Sequence, residues 1–142
     1  MSKLKSFYII LSESNLVIEH HQGTLNVDSY IKFKKQLLED PLFKTNMNYY
    51  IHLKDVFFST TKPDIKKYIK YMASIYDIIG NRKLALVTST PNQVVPITIY
   101  KSLEGDLNQE SKIFSTTEMA LHWLNIDDES IESIINTISE YK

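Results

Sequence analysis

The segment Lys83–Ser89 most constrains the fold, because its centre, Leu84–Val87, is apolar at every position. A strand that alternates apolar and polar residues buries one face, whereas a continuously apolar strand is buried on both. Burial on both faces is typical of a central strand in a parallel sheet covered by helices. A long helical pattern precedes this segment, and a capping box, Thr90–Gln93, follows it. The segment therefore predicts an α/β fold.

Four further runs rich in β-branched and aromatic residues predict the other strands: Phe7–Leu11, Leu16–His21, Asn48–Leu53 and Ser111–Phe114. The first two runs flank the polar turn Ser12–Asn15, and this arrangement predicts an antiparallel hairpin. The apolar residues Val56–Phe58 either extend the third strand or follow it as a loop.

Apolar residues at helical spacing predict five amphipathic helices. These are Ser29–Glu39, a long helix from Thr61 to Gly80, a helix opened by Thr90–Gln93, Ser115–Leu124 and Asp127–Tyr141. Asn26 or Asp28 caps the first helix, Gly80 ends the second in a left-handed conformation, and Pro96 kinks or delays the third. The order ββαβαβαβαα predicts a mixed, mostly parallel sheet of about five strands with an antiparallel edge.

The chain has 142 residues, which fits a single domain over 1–142, with a core over 5–126 and a C-terminal helix over 127–142. An isoleucine stripe in that last helix, at Ile131, Ile134, Ile135 and Ile138, packs either on the same core or on a partner. A second copy of the chain would be such a partner, so the stripe is compatible with a homodimer.

The formal net charge of −1 provides no long-range attraction for nucleic acid or for an anionic membrane, so neither is expected as a partner. No segment approaches the roughly 18 apolar residues of a membrane span. The apolar run Phe7–Leu11 is too short for a signal peptide. With no cysteine, disulfides and thiolate sites are excluded. These observations predict a cytoplasmic protein.

No catalytic residue is predicted. The three glycines are widely spaced, so no glycine-rich nucleotide loop is present, and no G-x-S-x-G elbow marks a serine nucleophile. His20 and His21 are strand neighbours that point to opposite faces, although His52 on another strand could approach one of them. Because no third ligand is evident, these histidines and His122 are interpreted as structural or surface residues. We expect no enzyme activity, metal or cofactor.

The segment Phe57-Phe58-Ser59-Thr60-Thr61 is the candidate binding or regulatory site. It precedes the long helix, where a phosphoryl group would be stabilised by unpaired N–H groups and by the helix dipole. Capping by Thr61, with the phenylalanines as a hydrophobic staple, also accounts for these residue types. Nine tyrosines are distributed along the chain; most are expected in or near the core, and a minority in a pocket or partner surface.

The chain resembles the STAS domain, the fold of the SpoIIAA-like anti-sigma-factor antagonists, and in particular small STAS-like bacterial proteins. The matching segments are Leu16–Gly23, Tyr50–Asp55, Arg82–Pro91 and Ile113–Leu124. The last is the most characteristic, since a strand there leads into a short E-x-A-x-x-W-L helix. The resemblance covers residues 5 to 126 and informs fold more than function.

This resemblance implies a non-enzymatic module that binds a protein partner in bacterial signalling or regulation. In such antagonists a serine at the start of the helix after the third strand is phosphorylated. The matching stretch here is Ser59-Thr60-Thr61, which lacks a preceding aspartate and has Lys62-Pro63 in place of glycine. By analogy with the CRAL-TRIO-like fold, the alternative is a binder of a lipid or other apolar ligand. That alternative requires a cavity of about a few hundred Å³ between sheet and helices.

Overall fold

The first two strands form the predicted hairpin. β1 (Lys5–Leu11) and β2 (Leu16–Leu25) pair antiparallel, and a 3₁₀ turn, Ser12–Ser14, joins them. Asn15 closes the turn in the left-handed conformation, with φ 51° and ψ 43°, which asparagine adopts more readily than most residues. The computed structural model describes residues 2–141.

The remaining elements follow in the predicted order. They are α1 (Val27–Leu38), β3 (Asn48–Phe58), α2 (Lys62–Ser74), α3 (Tyr76–Ile79), β4 (Arg82–Val87), α4 (Pro91–Leu103), β5 (Gln109–Phe114), α5 (Thr117–Trp123) and α6 (Asp128–Tyr141), with a 3₁₀ turn at Glu104–Asp106. The third strand continues to Phe58, so Val56–Phe58 extends it. The long helix is divided at Ile75 into α2 and α3.

The five strands lie side by side in sequence order, β1-β2-β3-β4-β5. β1 is the antiparallel edge, and the other neighbouring pairs are parallel. β4 lies between β3 and β5, and its centre, Leu84–Val87, is buried. The predicted mixed α/β sheet and the central parallel strand are therefore confirmed.

Helices cover both faces of the sheet. On one, the α6 face, Leu16, Ile18 and Val87 pack against α5 and α6. On the other, the α1 face, strand residues pack against α1 and α4, while α2 and α3 pack in a further cluster around Tyr68 and Met72. The isoleucine stripe of α6 belongs to the first cluster, so the last helix packs on its own core.

Gly80 ends α3 with φ 68° and ψ −154°. The positive φ agrees with the prediction, but this ψ lies outside the left-handed helical region, in a conformation that is essentially restricted to glycine. A Cβ on Gly80 would lie 2.1 Å from Oδ1 of Asn46, which accepts a hydrogen bond from the N–H of Asn81. Backbone conformation and close packing both require glycine here.

Side chains define the helix starts. Asn26 is the cap of α1, accepting a hydrogen bond from the N–H of Ser29 at 2.9 Å. α4 already begins at Pro91 and runs past Pro96, so Pro96 does not delay it. Within residues 2–141, no helix has both the length and the apolarity needed to cross a bilayer.

Candidate functional site

A cavity of about 90 Å³ lies on the α1 face, between the sheet and helices α1, α2 and α4. Apolar residues of β3 and β4 form its floor, and apolar residues of α2 and α4 form its roof. The floor includes Ile51, Leu53, Leu84 and Leu86, and the roof includes Ile65 and Ile97. A cavity between sheet and helices is what the apolar-ligand hypothesis requires, although this one is smaller than the volume of about a few hundred Å³ expected.

The predicted segment at the end of β3 contributes directly to this cavity. Phe58 and Thr60 line it, because alternation along β3 turns Phe58 inward and the connection to α2 then crosses the cavity edge. The Thr60 hydroxyl is buried and makes no hydrogen bond to any part of residues 2–141. A buried hydroxyl in this position can hydrogen-bond a polar atom of a ligand.

The other three residues of the segment face elsewhere. Phe57 is 49% exposed. Ser59 is also exposed, and its backbone N–H donates to the carbonyl of Leu25 at 2.9 Å. Thr61 caps α2 through a capping box in which its N–H donates to Oδ2 of Asp64 at 2.8 Å and its Oγ1 accepts from the Asp64 N–H. Of the three hydroxyls in the segment, that of Ser59 belongs to an exposed residue, whereas that of Thr60 is buried and that of Thr61 caps α2.

Three tyrosines form one wall of the cavity: Tyr30, Tyr68 and Tyr100. Tyr68 lies between the other two, with ring centroids 5.3 Å from Tyr30 and 6.0 Å from Tyr100. Burial raises the pKa of each above its ordinary value. The phenols therefore stay neutral, and the cavity presents ring carbon rather than charge to a ligand.

Behind this wall, a buried carboxylate accepts hydrogen bonds from three side chains. Glu19 of β2 pairs with the ammonium of Lys34 on α1, and accepts from the Tyr30 hydroxyl at 2.8 Å and from Nε2 of His21 at 2.8 Å. Burial by itself would raise the pKa of Glu19, but Lys34 and His21 lower it to about 2. Burial lowers the pKa of Lys34 to about 8, although Glu19 acts in the opposite direction.

A second buried cation, Arg82, lies at the start of β4. Its Nε and Nη2 donate to Oε1 of Gln109, at 3.2 and 3.0 Å. Cζ of Arg82 lies 4.8 Å from the centroid of the Tyr49 ring, and Nζ of Lys34 lies 4.3 Å from the same centroid. Both cations are therefore stabilised partly by one aromatic ring.

Glu19, Lys34 and Arg82 were not predicted as buried groups. Alternation along β2 is the pattern that could have indicated the burial of Glu19, because it places Glu19 on the same face as the buried Val17. Its partner Lys34 follows Phe33 on the apolar side of α1, where a lysine is ordinarily interpreted as a boundary residue. The pairing itself depends on how α1 crosses the sheet, which the local sequence does not specify.

The histidines are distributed as the strand geometry predicts. His21 faces the α1 side, whereas His20 and His52 face the α6 side and stack on one another, with ring centroids 4.5 Å apart. His122 is exposed, with Nε2 3.2 Å from Oδ1 of Asp128. His20 and His52 are therefore the pair that could contribute to one metal site, and Asp55 lies beside them.

The architecture is similar to that of a solved structure, an uncharacterised protein of the DUF3478 family with a SpoIIAA-like fold from Shewanella loihica PV-4. The TM-score is 0.56, the two chains are 12% identical, and the match covers 87% of this chain and 98% of that one. This likeness confirms the predicted SpoIIAA-like fold. No family model and no curated protein match the chain.

Proposed function

We propose that this chain is a non-enzymatic binding protein whose cavity on the α1 face holds a small, largely apolar ligand. The observation that carries the proposal is the cavity itself, roofed by α1, α2 and α4 and floored by the sheet. Protein interiors are close-packed, with few voids larger than a water molecule. The space lined by isoleucine, leucine and tyrosine side chains is left unfilled by the protein's own packing, which favours a ligand there.

The lining defines the chemistry of that ligand. Apolar cavities remain dry and take up apolar molecules, because water inside them lacks hydrogen-bond partners. The neutral phenols of Tyr30 and Tyr68 extend this apolar surface. The buried Thr60 hydroxyl can bind one polar atom. A compact hydrocarbon skeleton with one hydroxyl or carbonyl group fits these properties.

Helix α2 provides a route for entry. It packs mainly on α1 and α4 rather than on the sheet, through residues that include Tyr68 and Met72. A displacement of α2 would enlarge the cavity without breaking strand pairing. A ligand too large for the cavity as it stands would require such a displacement.

The test combines extraction with a defined probe. Mass spectrometry of an organic extract of the full-length protein identifies any apolar compound that co-purifies with it. Benzene, added to isotope-labelled protein, should shift the methyl resonances of Ile51, Ile65 and Ile97. Leu86→Phe, which fills the cavity, should abolish these shifts, whereas Val95→Phe, on the exposed side of α4, should retain them. An empty extract together with benzene shifts that persist in Leu86→Phe would refute the proposal.

A second function, binding of a protein partner in bacterial signalling or regulation, is favoured by a different observation. Phe57, Val94 and Val95 are large apolar residues that remain exposed. They lie at one end of the sheet. There the Asn92 side chain joins the start of α4 to the end of β3, because it hydrogen-bonds the backbone N–H and carbonyl of Phe58. Ser59 is the accessible hydroxyl beside them. In this proposal the protein acts in the cytoplasm, and phosphorylation of Ser59 would place charge next to the apolar surface.

Cross-linking in native lysate tests this second function. Phe57→Ser should remove a specific cross-linked partner, and Ser59→Asp should weaken its capture. Leu42→Ser is the matched control, because Leu42 is similarly exposed but lies in the loop after α1. Equal recovery of every cross-linked species by all three variants would contradict this role.

A further inference from the structure

Two imidazoles lie side by side on the α6 face, away from the cavity. His20 and His52 are in register on the parallel strands β2 and β3, so their side chains leave the sheet at neighbouring points on the same face. Their rings are nearly parallel, at 9°, and both residues are almost fully buried, at 4% and 6% exposure. Adjacent parallel strands thus bring two nitrogen ligands within reach of one ion.

A β-bulge in β3 brings a carboxylate to the same place. His20 pairs with His52 but Gln22 pairs with Asp55, so three steps along β3 match two along β2. In a regular strand Asp55 would point to the opposite face from His52, because the spacing is odd. The extra residue reverses this, and bulges commonly re-aim a side chain in this way. Nε2 of His20 lies 3.8 Å from Oδ2 of Asp55.

Gln93 of α4 holds the bulge in place. Its buried amide donates to the carbonyls of Lys54 and Val56, the residues on either side of Asp55, at 2.9 Å each. Its Oε1 accepts from the N–H of Ser89 at 2.7 Å. The distorted backbone is therefore fixed by a dedicated side chain, as expected where the direction of Asp55 matters.

We propose that His20, His52 and Asp55 form a binding site for a divalent transition-metal ion, with Zn²⁺ as the representative. One ligand atom from each residue lies within 4.8 Å of the others. Two imidazole nitrogens and one carboxylate oxygen are a ligand set that suits zinc, nickel and copper rather than calcium or magnesium. This site is independent of the proposed ligand cavity, since the sheet separates them.

Binding requires a small closure of the three ligands. Metal bonds of about 2.1 Å place tetrahedral ligands roughly 3.4 Å apart. The ring nitrogens of parallel stacked imidazoles point in parallel directions, so the rings must tilt toward each other. Asp55 has a side chain that is 57% exposed and can change rotamer to meet them. With three protein ligands, water completes the coordination sphere, as in open rather than purely structural zinc sites.

The experiment measures Zn²⁺ and Co²⁺ binding to the full chain without an affinity tag, by calorimetry and by the visible absorption of bound Co²⁺. We expect one ion per chain with micromolar or tighter affinity. Asp55→Asn should weaken binding by at least about tenfold, and His52→Gln should abolish the Co²⁺ band. His122→Ala is the matched control, since it removes an exposed histidine that also lies beside an aspartate.

Each outcome decides the proposal. Loss of binding in Asp55→Asn, with retention in His122→Ala, supports it. The exposed position of Asp55 makes this variant informative even if His52→Gln fails to fold, which circular dichroism would reveal. Absence of binding, or equal affinity in the wild-type and Asp55→Asn proteins, would overturn it. Binding lost only in His122→Ala would also overturn it and assign the ion to the surface pair.

Discussion

The ammonium of Lys34 and the carboxylate of Glu19 are in direct contact inside the protein, with side-chain exposures of 1% and 0%. Neither group reaches water, so each depends on the other for compensation of its charge. A buried ion pair contributes little net stability, because desolvation of two charges offsets their attraction. Removing one partner is a different matter, since it leaves an uncompensated charge in the core.

We therefore expect Glu19→Gln to destabilise the protein by about 3–5 kcal/mol. The double variant Glu19→Gln/Lys34→Met should recover a substantial part of that loss, because the uncompensated ammonium of Lys34 is then removed as well. Urea denaturation followed by circular dichroism measures both. Asp28→Asn, which breaks the exposed pair between Lys67 and Asp28, is the control and should leave the urea midpoint unchanged. Equal losses in the single and double variants would contradict this account.

The glycine that closes α3 offers a second test. Gly80→Ala should lower the free energy of unfolding by about 1–3 kcal/mol, because its φ of 68° and ψ of −154° are unfavourable for alanine. The new methyl group would also meet Oδ1 of Asn46. Gly105→Ala is the control, since an added Cβ there has no neighbour within 4 Å. Thermal unfolding should show a lower midpoint temperature for Gly80→Ala than for Gly105→Ala.

Gln93 should contribute far more to the stability of the protein than an exposed glutamine of a helix does. In Gln93→Leu the carbonyls of Lys54 and Val56 lose their side-chain donor, and we expect a cost of about 1–3 kcal/mol. Hydrogen exchange should also become faster around the bulge. Gln36→Leu, at an exposed position of α1, serves as the control. If both variants unfold at the same urea concentration, the bulge does not depend on Gln93.

Alkaline pH should unfold this protein through its buried phenols. Burial raises the pKa of Tyr49 to about 12 and raises those of Tyr30, Tyr68 and Tyr100 as well. Above pH 10 the unfolded state, whose tyrosines titrate near their ordinary value, binds fewer protons than the native state. The stability that these groups contribute is complete below pH 10 and is lost as pH rises toward 12, at up to about 1.4 kcal/mol per pH unit for each.

Denaturant titrations between pH 8 and pH 12, with tyrosinate absorbance recorded in parallel, measure this effect. Lys34 acts in the opposite direction, because its native pKa of about 8 lies below that of an unfolded lysine, so its earlier deprotonation raises the stability between pH 8 and about 10.5. The decline should therefore become steep only above pH 10. Tyr68→Phe should make it shallower. A flat profile up to pH 12 would show that the phenols ionise without unfolding.

The fold was largely predictable because its signals are local. The continuous apolar run Leu84–Val87, the turn Ser12–Asn15 and the capping residues Asn26 and Thr61 each specify their own element. Where tertiary contacts decide, the sequence left the outcome open, as for Val56–Phe58, which could either extend the third strand or follow it as a loop. β3 continues to Phe58 past a bulge near Asp55 that interrupts its alternation, and a side chain nearly forty residues later in the chain holds that bulge.

The candidate sites were only partly predictable for the same reason. The approach of His20 to His52 follows from strand pairing and was foreseen as an option. Asp55 was not recognised as a third ligand, because its spacing from His52 indicates the wrong face for a regular strand. Phe58 was within the predicted segment, yet its place in the cavity depends on how α2 and α4 cover the sheet.

The late position of α6 has a consequence for synthesis on the ribosome. The strands join in the order in which they are translated, so the sheet and the helices of the α1 face can assemble while the nascent chain is still growing. Leu16 and Ile18, on the other face, are covered only once α6 has emerged. Until then the partly made protein exposes an apolar surface, which is open to aggregation and to chaperones that bind apolar segments.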